Sequence, residues 1–331
     1  MKKKVLITGG TGFVCMNIAQ TLLEKGHDVV LFARHRIDDE AQREFDMLPG
    51  KVSYFKGDVT NKQSICDAMN MYQISDVIHG AAITPSREAE MENPELVMYV
   101  NCLGVLNSLE ATRAAGIEGR FIYLGSISGY GQTCFDEKEL VEGESLGNPH
   151  SLYELSKFTG ERLVQRYRDM YGMDAVLARV GDVFGPWERK TGVRNYMSFP
   201  YQLTSAAMKG EKVILPKPNC IDWVYGKDIA YSIYALLMQD DLKYDAYPLC
   251  SGYIWPLTKW CEKLQTVYPG FQWSMKKEGE KATMCVNQID DNAPMRTDRL
   301  IEQTGYHPQY DLDRAFKDYM NWIETHKRYL N

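Results

Sequence analysis

The sequence predicts an α/β fold in which a doubly wound parallel sheet carries a smaller C-terminal domain. Over the first 180 residues, short β-branched and apolar runs alternate with longer segments of helical periodicity. A glycine-rich turn follows the first run directly, and the alternation breaks down after Val180. Repeated strand and helix units are typical of parallel sheets with right-handed crossovers.

Six strands and five helices can be assigned in chain order. The strand runs are short and apolar, and we predict strands at 5–8, 28–33, 52–56, 76–79, 120–124 and 175–180. Between them lie amphipathic segments, which predict helices near 13–25, 40–48, 61–71, 94–115 and 152–171.

The turn after the first strand, TGGTGFVC at 8–15, has the features of a phosphate-binding turn. Gly9 permits the tight turn, and Gly12 lets the backbone approach a pyrophosphate at the helix N-terminus. Cys15 stands at the third position, where glycine normally allows close packing of helix on strand. Because cysteine is small and tolerates burial, we expect some loss of packing and an intact dinucleotide site.

The chain after Val180 predicts a second domain. Residues 181–222 are rich in proline and aromatic residues, whereas DWVYGKDIAYSIYALLM at 222–238 restores a strand and a helix. We assign 1–180 and about 223–250 to the dinucleotide-binding domain. The substrate domain then comprises 181–222 and 251–331, and we expect it to close over the carboxyl edge of the sheet.

Composition excludes several classes of function. The 331 residues carry a net charge of -6, which offers no basic field to nucleic acid or to an anionic membrane. The eight cysteines include no C-x-x-C pair, so neither a zinc site nor a disulfide framework is expected. No apolar segment reaches 18 residues. We expect a cytoplasmic protein with a small-molecule substrate and no metal, nucleic-acid or membrane partner.

An ordered set of motifs extends over most of the chain. It comprises TGGTGFV (8–14), GDV (57–59), HGAA (79–82), VNCLGVLN (100–107), GSISGYG (125–131), YELSK (153–157), ARVGDVFGP (178–186) and DWVYGKDIA (222–230). In this order the set resembles the extended branch of the short-chain dehydrogenase/reductase family, also called the NAD-dependent epimerase/dehydratase family. The resemblance implies a Rossmann fold and an NAD(P)-dependent enzyme.

Tyr153 and Lys157 are the expected centre of the chemistry. Four residues apart on a helix, they share one face, and an ammonium beside a phenol favours the phenolate. By resemblance, Lys157 also hydrogen-bonds the nicotinamide ribose and Ser126 holds the substrate oxygen. Asn101 matches a family asparagine that supports the site or a proton relay; equally, it stiffens its own helix.

The resemblance and the second strand together predict the cofactor contacts. Ala33 stands where NAD enzymes carry an acid for the ribose, and Arg34 follows it with a guanidinium suited to a 2′-phosphate. NADP is therefore favoured over NAD; the alternative is a solvated basic loop balanced by Asp38, Asp39 and Glu40. Asp58 is alternatively a turn residue. Besides Tyr153, Lys157 and Arg34, the predicted cofactor contacts are Gly9, Thr11, Gly12, Phe13, Val14, Asp58, Val59, Ala81, Ala82 and Val183.

Two departures from the family pattern bear on the substrate. The family's Asn before V-Y-G-P is Asp182 here, and the Arg before Asp-Phe/Tyr is Ile221. An anion and an alkyl chain at these positions weaken binding of a nucleotide diphosphate. Near the predicted pocket, the segment 187–194 holds three cations that bind an anionic substrate group or simply form a solvated loop. The predicted substrate contacts are Thr84, Ser126, Asp182 and Arg194.

Three functions stay open. The first is an NADP-linked oxidoreductase that interconverts a secondary alcohol and a carbonyl on a small, sugar-derived substrate. The second is a nucleotide-sugar epimerase with an atypical phosphate clamp, and the third is a non-catalytic dinucleotide sensor, which the intact Ser126, Tyr153 and Lys157 disfavour. Dehydration is not expected, because Ser126-Ile127-Ser128 lacks the Asp-Glu pair of the dehydratases. By resemblance we also expect a homodimer formed through the helices near 94–115 and 152–171.

Overall fold

The computed structural model describes residues 2–284 and 291–330. This part of the chain forms twelve strands: β1 (Lys4–Thr8), β2 (Asp28–Ala33), β3 (Val52–Lys56), β4 (Asp76–His79), β5 (Phe121–Ser126), β6 (Ala175–Val180), β7 (Asp182–Phe184), β8 (Val213–Leu215), β9 (Cys220–Tyr225), β10 (Ala246–Leu249), β11 (Ile254–Pro256) and β12 (Trp273–Met275).

The same residues form thirteen α-helices: α1 (Phe13–Glu24), α2 (Asp39–Asp46), α3 (Lys62–Tyr72), α4 (Arg87–Glu92), α5 (Pro94–Met98), α6 (Gly104–Ala114), α7 (Thr133–Asp136), α8 (Leu152–Tyr171), α9 (Phe199–Lys209), α10 (Gly226–Met238), α11 (Leu257–Val267), α12 (Asp298–Thr304) and α13 (Leu312–His326). A π-helical turn at Tyr99–Leu103 joins α5 to α6. Shorter 3-10 turns lie at Ile127–Tyr130 and Lys327–Leu330.

The main sheet has seven parallel strands in the order β10-β6-β5-β4-β1-β2-β3. The chain runs outward from β1 through β2 to β3, and then returns to β4 on the other side of β1. The strand order therefore reverses between β1 and β4, and the crevice beyond the carboxyl ends of such strands is where open α/β sheets bind ligands.

Apolar cores cover both faces of this sheet. One core includes buried residues of α1 and α10, and the other includes buried residues of α3, α6 and α8. All six residues of β6 are buried, as expected for a strand covered on both faces. The predicted doubly wound α/β fold is confirmed.

Two small sheets follow the main one in sequence. Strands β11, β9 and β7 form one, and β12 pairs with β8 in the other. Phe184 at the end of β7 packs its ring edge-on against Trp255, Trp260 and Tyr319. The core thus continues from the main sheet into the C-terminal region, while the division of the chain into two domains stays a prediction.

The C-terminal turn connects distant parts of the fold. The Tyr329 hydroxyl donates to Asp38 Oδ2 at 2.7 Å, at the start of α2. The Tyr201 hydroxyl on α9 donates to the Tyr329 carbonyl at 2.7 Å, and His326 Nε2 lies 2.7 Å from Glu44 Oε1. These contacts fix α2, which follows the predicted cofactor-selecting strand, to the C-terminal region of the chain.

The predicted elements agree with the structure, with two informative differences. The segment 94–115 is divided by the π-helical turn, which bulges the helix at Asn101. Strand β5 extends to Ser126, so this residue ends a strand. Within the described residues, no helix combines the length and the apolar character needed to cross a lipid bilayer.

Candidate active site

The glycine turn has the shape that a phosphate requires. Gly9 has φ +64°, and a β-carbon there would lie 2.7 Å from the Cα of Ala81. The Gly12 amide donates to the Gly9 carbonyl at 2.8 Å, which closes the turn before α1. No side chain caps the first turn of α1, so its backbone N–H groups are free to bind an anion. Thr11, Phe13 and Val14 are half-buried around this helix end.

Cys15 is accommodated because residue 80 is glycine. A β-carbon on Gly80, the residue after β4, would lie 2.3 Å from the Cys15 sulfur. The thiol therefore occupies the space that a side chain at position 80 would need. The Cys15 thiol is buried at 3% exposure and donates to the Thr8 carbonyl at 3.7 Å. Burial raises the pKa of this thiol to about 12. The substitution therefore changes packing between α1 and the sheet and leaves the phosphate-binding turn open.

Several side-chain hydrogen bonds hold the first turn of helix α8 in place. Ser151 and Glu154 form a capping box, and Glu154 also accepts from the His150 amide at 2.7 Å. Glu90 Oε1 of α4 accepts from the Leu152 amide at 2.7 Å. Because Tyr153 is the second residue of α8, these bonds fix the position of its backbone.

Lys157 is buried one turn below Tyr153. Its Nζ donates to the Leu124 carbonyl at 3.1 Å and lies 6.0 Å from the centre of the Tyr153 ring. The same ammonium lies 5.4 Å from the ring centre of Tyr123. Ser126 follows two residues after Leu124 at the end of β5, and its Oγ accepts from the Ser128 amide at 3.2 Å. The fold thus brings the predicted tyrosine and lysine of α8 next to the strand that carries the serine.

Asn101 lies in the π-helical turn with all of its amide engaged. Its Nδ2 donates to the Ile83 carbonyl and to the Ser156 hydroxyl, both at 3.0 Å. Its Oδ1 accepts from the Ile83 amide at 2.9 Å. The side chain therefore ties the segment after β4 to helix α8.

The predicted cofactor residues surround the same strand ends. Asp58 follows β3, and its carboxylate accepts hydrogen bonds from the amide and the hydroxyl of Thr60. The carboxylate therefore stabilises a local turn. Val59 is buried, and a β-carbon on Gly104 would lie 2.8 Å from it. Ala81 and Ala82 follow Gly80 beyond β4, and Val183 lies in β7 beyond β6.

Arg34 is exposed immediately beyond Ala33, the last residue of β2. Two of the three acidic residues predicted to balance it pair elsewhere: Asp38 pairs with Arg328, and Glu40 Oε2 accepts from Arg328 Nε at 2.9 Å. The 2′-phosphate contact and the solvated basic loop therefore both stay predictions.

Two of the predicted substrate residues, Thr84 and Arg194, lie on segments that meet. The Thr84 amide donates to the Val193 carbonyl at 2.9 Å, and residues 84 and 194 form an isolated parallel bridge. Arg194 pairs with the buried Glu188 at 3.0 Å, and burial raises the pKa of that carboxyl. Arg189 instead donates to the Thr11 carbonyl at 2.9 Å, which places this cation against the glycine turn.

Comparison with known proteins identifies the family. The model of the "NAD dependent epimerase/dehydratase family" matches residues 5–250. The chain belongs to this family. UDP-glucuronate 4-epimerase 1 of Arabidopsis thaliana is 29% identical over 189 residues, which are 56% of this chain and 43% of that protein.

Solved structures of epimerases share the fold. An epimerase of Methanothermobacter thermautotrophicus matches with a TM-score of 0.80 at 22% identity, covering 99% of this chain and 94% of that one. UDP-glucose 4-epimerase of Brucella ovis, solved with NAD, matches with a TM-score of 0.78 at 20% identity, covering 96% and 98%. The predicted family and the prediction of an enzyme are confirmed.

A buried ionic cluster, which the sequence did not predict, lies next to the elements that carry the predicted catalytic residues of this epimerase/dehydratase family member. Arg179 of β6 donates to Glu161 Oε1 at 2.8 Å and to Glu142 Oε2 at 3.0 Å. The Tyr130 hydroxyl also donates to Glu142 at 2.9 Å, and the Arg179 guanidinium lies 4.2 Å from the Tyr130 ring centre. Burial raises the pKa of Glu161 to about 7, against the opposing charge of Arg179.

This cluster joins the elements that carry the predicted catalytic residues. Glu161 lies one turn after Lys157 on α8, and Tyr130 ends the 3-10 turn that follows Ser126. A β-carbon on Gly129 would lie 2.6 Å from Glu161 Oε1, so the turn passes directly over the carboxylate. The four-residue spacing from Lys157 to Glu161 is visible in the sequence, but the pairing with Arg179 requires the tertiary structure.

Proposed function

We propose that the chain is a sugar epimerase that oxidises a secondary alcohol of its substrate and then reduces the resulting ketone on the opposite face. The observation that carries this proposal is the burial of Lys157 between the Tyr153 helix and the Leu124 carbonyl, beside the strand that ends at Ser126. The names of the relatives, UDP-glucuronate and UDP-glucose 4-epimerases, support epimerisation over net oxidation.

The residues of the glycine turn fit a dinucleotide. Gly9 would clash with Ala81 if it carried a side chain, and the uncapped start of α1 presents backbone N–H groups to a pyrophosphate. A nicotinamide cofactor held at this turn would supply reversible hydride transfer at the substrate carbon. The protein's part in the reaction is to hold the substrate and to move its hydroxyl proton.

Tyr153 takes the proton of the substrate hydroxyl and returns it at the end of the cycle. Tyr153 must therefore begin as the phenolate and becomes the neutral phenol when it takes the proton; the Lys157 ammonium favours this starting phenolate, because an opposite charge nearby stabilises an ionised group. Ser126 Oγ donates to the substrate oxygen while negative charge develops on it. Asn101 keeps α8 and the segment after β4 in register, which preserves these distances.

A second candidate is net oxidoreduction of a small sugar-derived alcohol. It is favoured by Asp182 and by Ile221, which is 6% exposed and lies in the core. Neither side chain stabilises a diphosphate. Hydride transfer and the roles of Tyr153, Lys157 and Ser126 are common to both candidates, which differ in whether the cofactor is consumed.

Cofactor balance distinguishes the two candidates. Purified protein is incubated with UDP-glucose, UDP-glucuronate and free sugars, with NAD or NADP, and absorbance at 340 nm is followed together with product NMR. An epimerase converts substrate without accumulating reduced cofactor, whereas an oxidoreductase forms one reduced cofactor per product. Tyr153→Phe is the inactive control. If this variant equals the unaltered protein, the assignment of the catalytic tyrosine is wrong.

Within this family of NAD-dependent enzymes, we propose that the chain accepts NADP in preference to NAD. Arg34 is exposed beyond Ala33, and within the described residues no carboxylate forms an ion pair with it. A guanidinium at this position offers bidentate hydrogen bonds to a 2′-phosphate.

We also propose a homodimer. Leu96, Met98 and Tyr99 are exposed large hydrophobic residues of α5 and the π-helical turn, and Leu155 is exposed on α8, which packs beside α5. Exposed large apolar side chains on neighbouring elements are typical of a protein interface. Light scattering of Leu155→Glu tests it: a monomer is expected, and an unchanged mass would exclude this surface.

A further inference from the structure

Two polar atoms on the substrate side of the molecule are buried without a partner. Asn292 is 8% exposed, and its Oδ1 has no hydrogen-bond partner among the described residues. Trp223 is 5% exposed, and its indole Nε1 likewise lacks a partner in that part of the chain. Because an unpaired buried donor or acceptor loses its hydrogen bonds to water without replacement, each of these atoms requires an explanation.

Both residues adjoin Asp182. Asn292 Nδ2 donates to Asp182 Oδ2 at 2.6 Å. Trp223 on β9 is the register partner of Asp182 on β7, and residues in register on paired strands project to the same face. Asp182 lies two residues after Val180, the last residue of β6. Val180 is the register partner of Ser126, the last residue of β5. The three side chains therefore lie beyond the strand end that carries the predicted catalytic serine.

Asn292 is held in place by its neighbours. The Ala293 amide donates to the Cys134 carbonyl at 2.7 Å, and the Leu140 amide donates to the Pro294 carbonyl at 2.8 Å. Cys134 and Leu140 follow the 3-10 turn that begins after Ser126. The asparagine is thus fixed to the same segment that leads away from the predicted active site.

The charges around Asp182 oppose an anionic ligand. Burial raises the pKa of Asp182 and the nearby Asp222 raises it further, whereas the Asn292 hydrogen bond and the Arg194 charge act in the opposite direction. The charge of Arg194 is offset by Glu188 at 3.0 Å. Ile221, beside the register pair, is buried and pairs with Trp255. A diphosphate would therefore meet a carboxyl and an alkyl group where it needs cations.

A sugar hydroxyl fits these atoms better. A hydroxyl both donates and accepts hydrogen bonds, so it can donate to the Asn292 oxygen or to the Asp182 carboxyl and accept from the Trp223 indole. The two unpaired atoms are one acceptor and one donor. Binding of a diol would pair both, and the relief of their burial cost would favour the complex.

We propose that Asp182, Asn292 and Trp223 form a recognition site for hydroxyl groups of an uncharged sugar or polyol. This inference rests on the proposed hydride-transfer function and specifies its substrate class as a sugar without a nucleotide diphosphate. Asn292 and Trp223 then determine specificity, while Tyr153, Lys157 and Ser126 carry the chemistry.

Calorimetric titration of the Tyr153→Phe protein, saturated with NADP and in a parallel series with NAD, tests the site, because this background binds without turnover. The probes are D-galactose, xylitol, UDP and UDP-glucose. We expect a free sugar or polyol to bind, with its Kd raised at least tenfold by Asn292→Ala and by Trp223→Phe, and less than twofold by the exposed control Asn70→Ala. Thermal melts of each variant confirm folding. Binding of UDP-glucose that neither substitution weakens, or binding of no uncharged probe, overturns the proposal.

The same probes with the active enzyme separate this inference from the proposed function. Hydride transfer from UDP-glucose, without binding of free sugars, overturns the recognition site and leaves the epimerase proposal in place. Free-sugar binding that is weakened by Asn292→Ala, without hydride transfer to either cofactor, supports the site and counts against the proposed function.

Discussion

The Lys157 ammonium donates a hydrogen bond of 3.1 Å to the carbonyl oxygen of Leu124, two residues before Ser126. This bond joins the helix of the predicted general base to the strand of the predicted substrate-binding serine. It also holds the cation at 6.0 Å from the Tyr153 ring centre, inside the protein and away from bulk water. The position of the charge is therefore fixed before substrate arrives.

Replacement of this cation tests its role. Lys157→Met keeps an unbranched side chain one atom shorter and removes the charge, so we expect kcat/KM to fall by about 10²–10⁴, the usual contribution of acid–base catalysis. The free energy of unfolding is expected to change little, since the cost of burying an ammonium is also removed. Lys62→Met, on the exposed surface of α3, is the control. A Lys157→Met enzyme with more than a third of normal activity would contradict the assignment.

Arg34 gives a second prediction, on cofactor choice. In Arg34→Ala we expect the Kd for NADPH to rise about tenfold or more, because hydrogen bonds to charged groups contribute about 1.5–3 kcal/mol. The Kd for NADH is expected to stay unchanged. Arg36→Ala is a matched control, since Arg36 stacks on the Tyr54 ring at 4.8 Å. Fluorescence titration provides both constants, and equal losses for the two cofactors would exclude a 2′-phosphate contact.

The packing of Cys15 against Gly80 gives a third prediction. Gly80→Ala places a β-carbon 2.3 Å from the Cys15 sulfur and 2.9 Å from Leu124 Cδ1, and we expect it to destabilise the fold by about 1–3 kcal/mol. Cys15→Gly in the same protein should recover part of that loss. Denaturant unfolding of the two single variants and the double variant measures the coupling energy. Strictly additive effects would show that the two residues do not compete for space.

The sequence predicted those features that depend on local patterns. Buried parallel strands require continuous apolar runs, so β2, β3, β4 and β6 could be assigned with their observed bounds. The glycine turn was recognisable for the same reason, because a positive φ at Gly9 and a close approach to Ala81 permit few other residues.

Features that depend on tertiary contacts were missed. The π-helical turn at Asn101 is stabilised by bonds to Ile83 and Ser156, which are distant in sequence. Arg179 reads as one polar residue in an apolar strand until β6 is placed beside α8. The contact of Arg189 with the Thr11 carbonyl spans 178 residues, and no spacing rule indicates it.

Glu161 gives the last prediction, on pH. Its carboxyl is ordinarily half-protonated near pH 4.5, and burial raises this pKa to about 7 in the folded protein. The folded state therefore binds the proton more tightly than the unfolded chain, so this group stabilises the fold fully below about pH 4.5 and the contribution is lost as the pH rises through 7. The change amounts to at most about 3 kcal/mol, at 1.36 kcal/mol for each pKa unit.

Glu161→Gln removes the titration and keeps an oxygen that accepts from Arg179. Between pH 5 and pH 8 we expect the free energy of unfolding of the unaltered protein to fall relative to that of the variant. Only the unaltered protein loses the Glu161 proton over this range. Guanidinium unfolding at several pH values measures the difference. Glu110→Gln is the matched control, because the pKa of Glu110 is shifted in the opposite direction, to about 2, chiefly by the Arg113 hydrogen bond. The contribution of Glu110 to the free energy of unfolding is therefore constant above pH 5. Parallel curves for Glu161→Gln and the unaltered protein would show that Glu161 stays ionised in the fold, held so by Arg179.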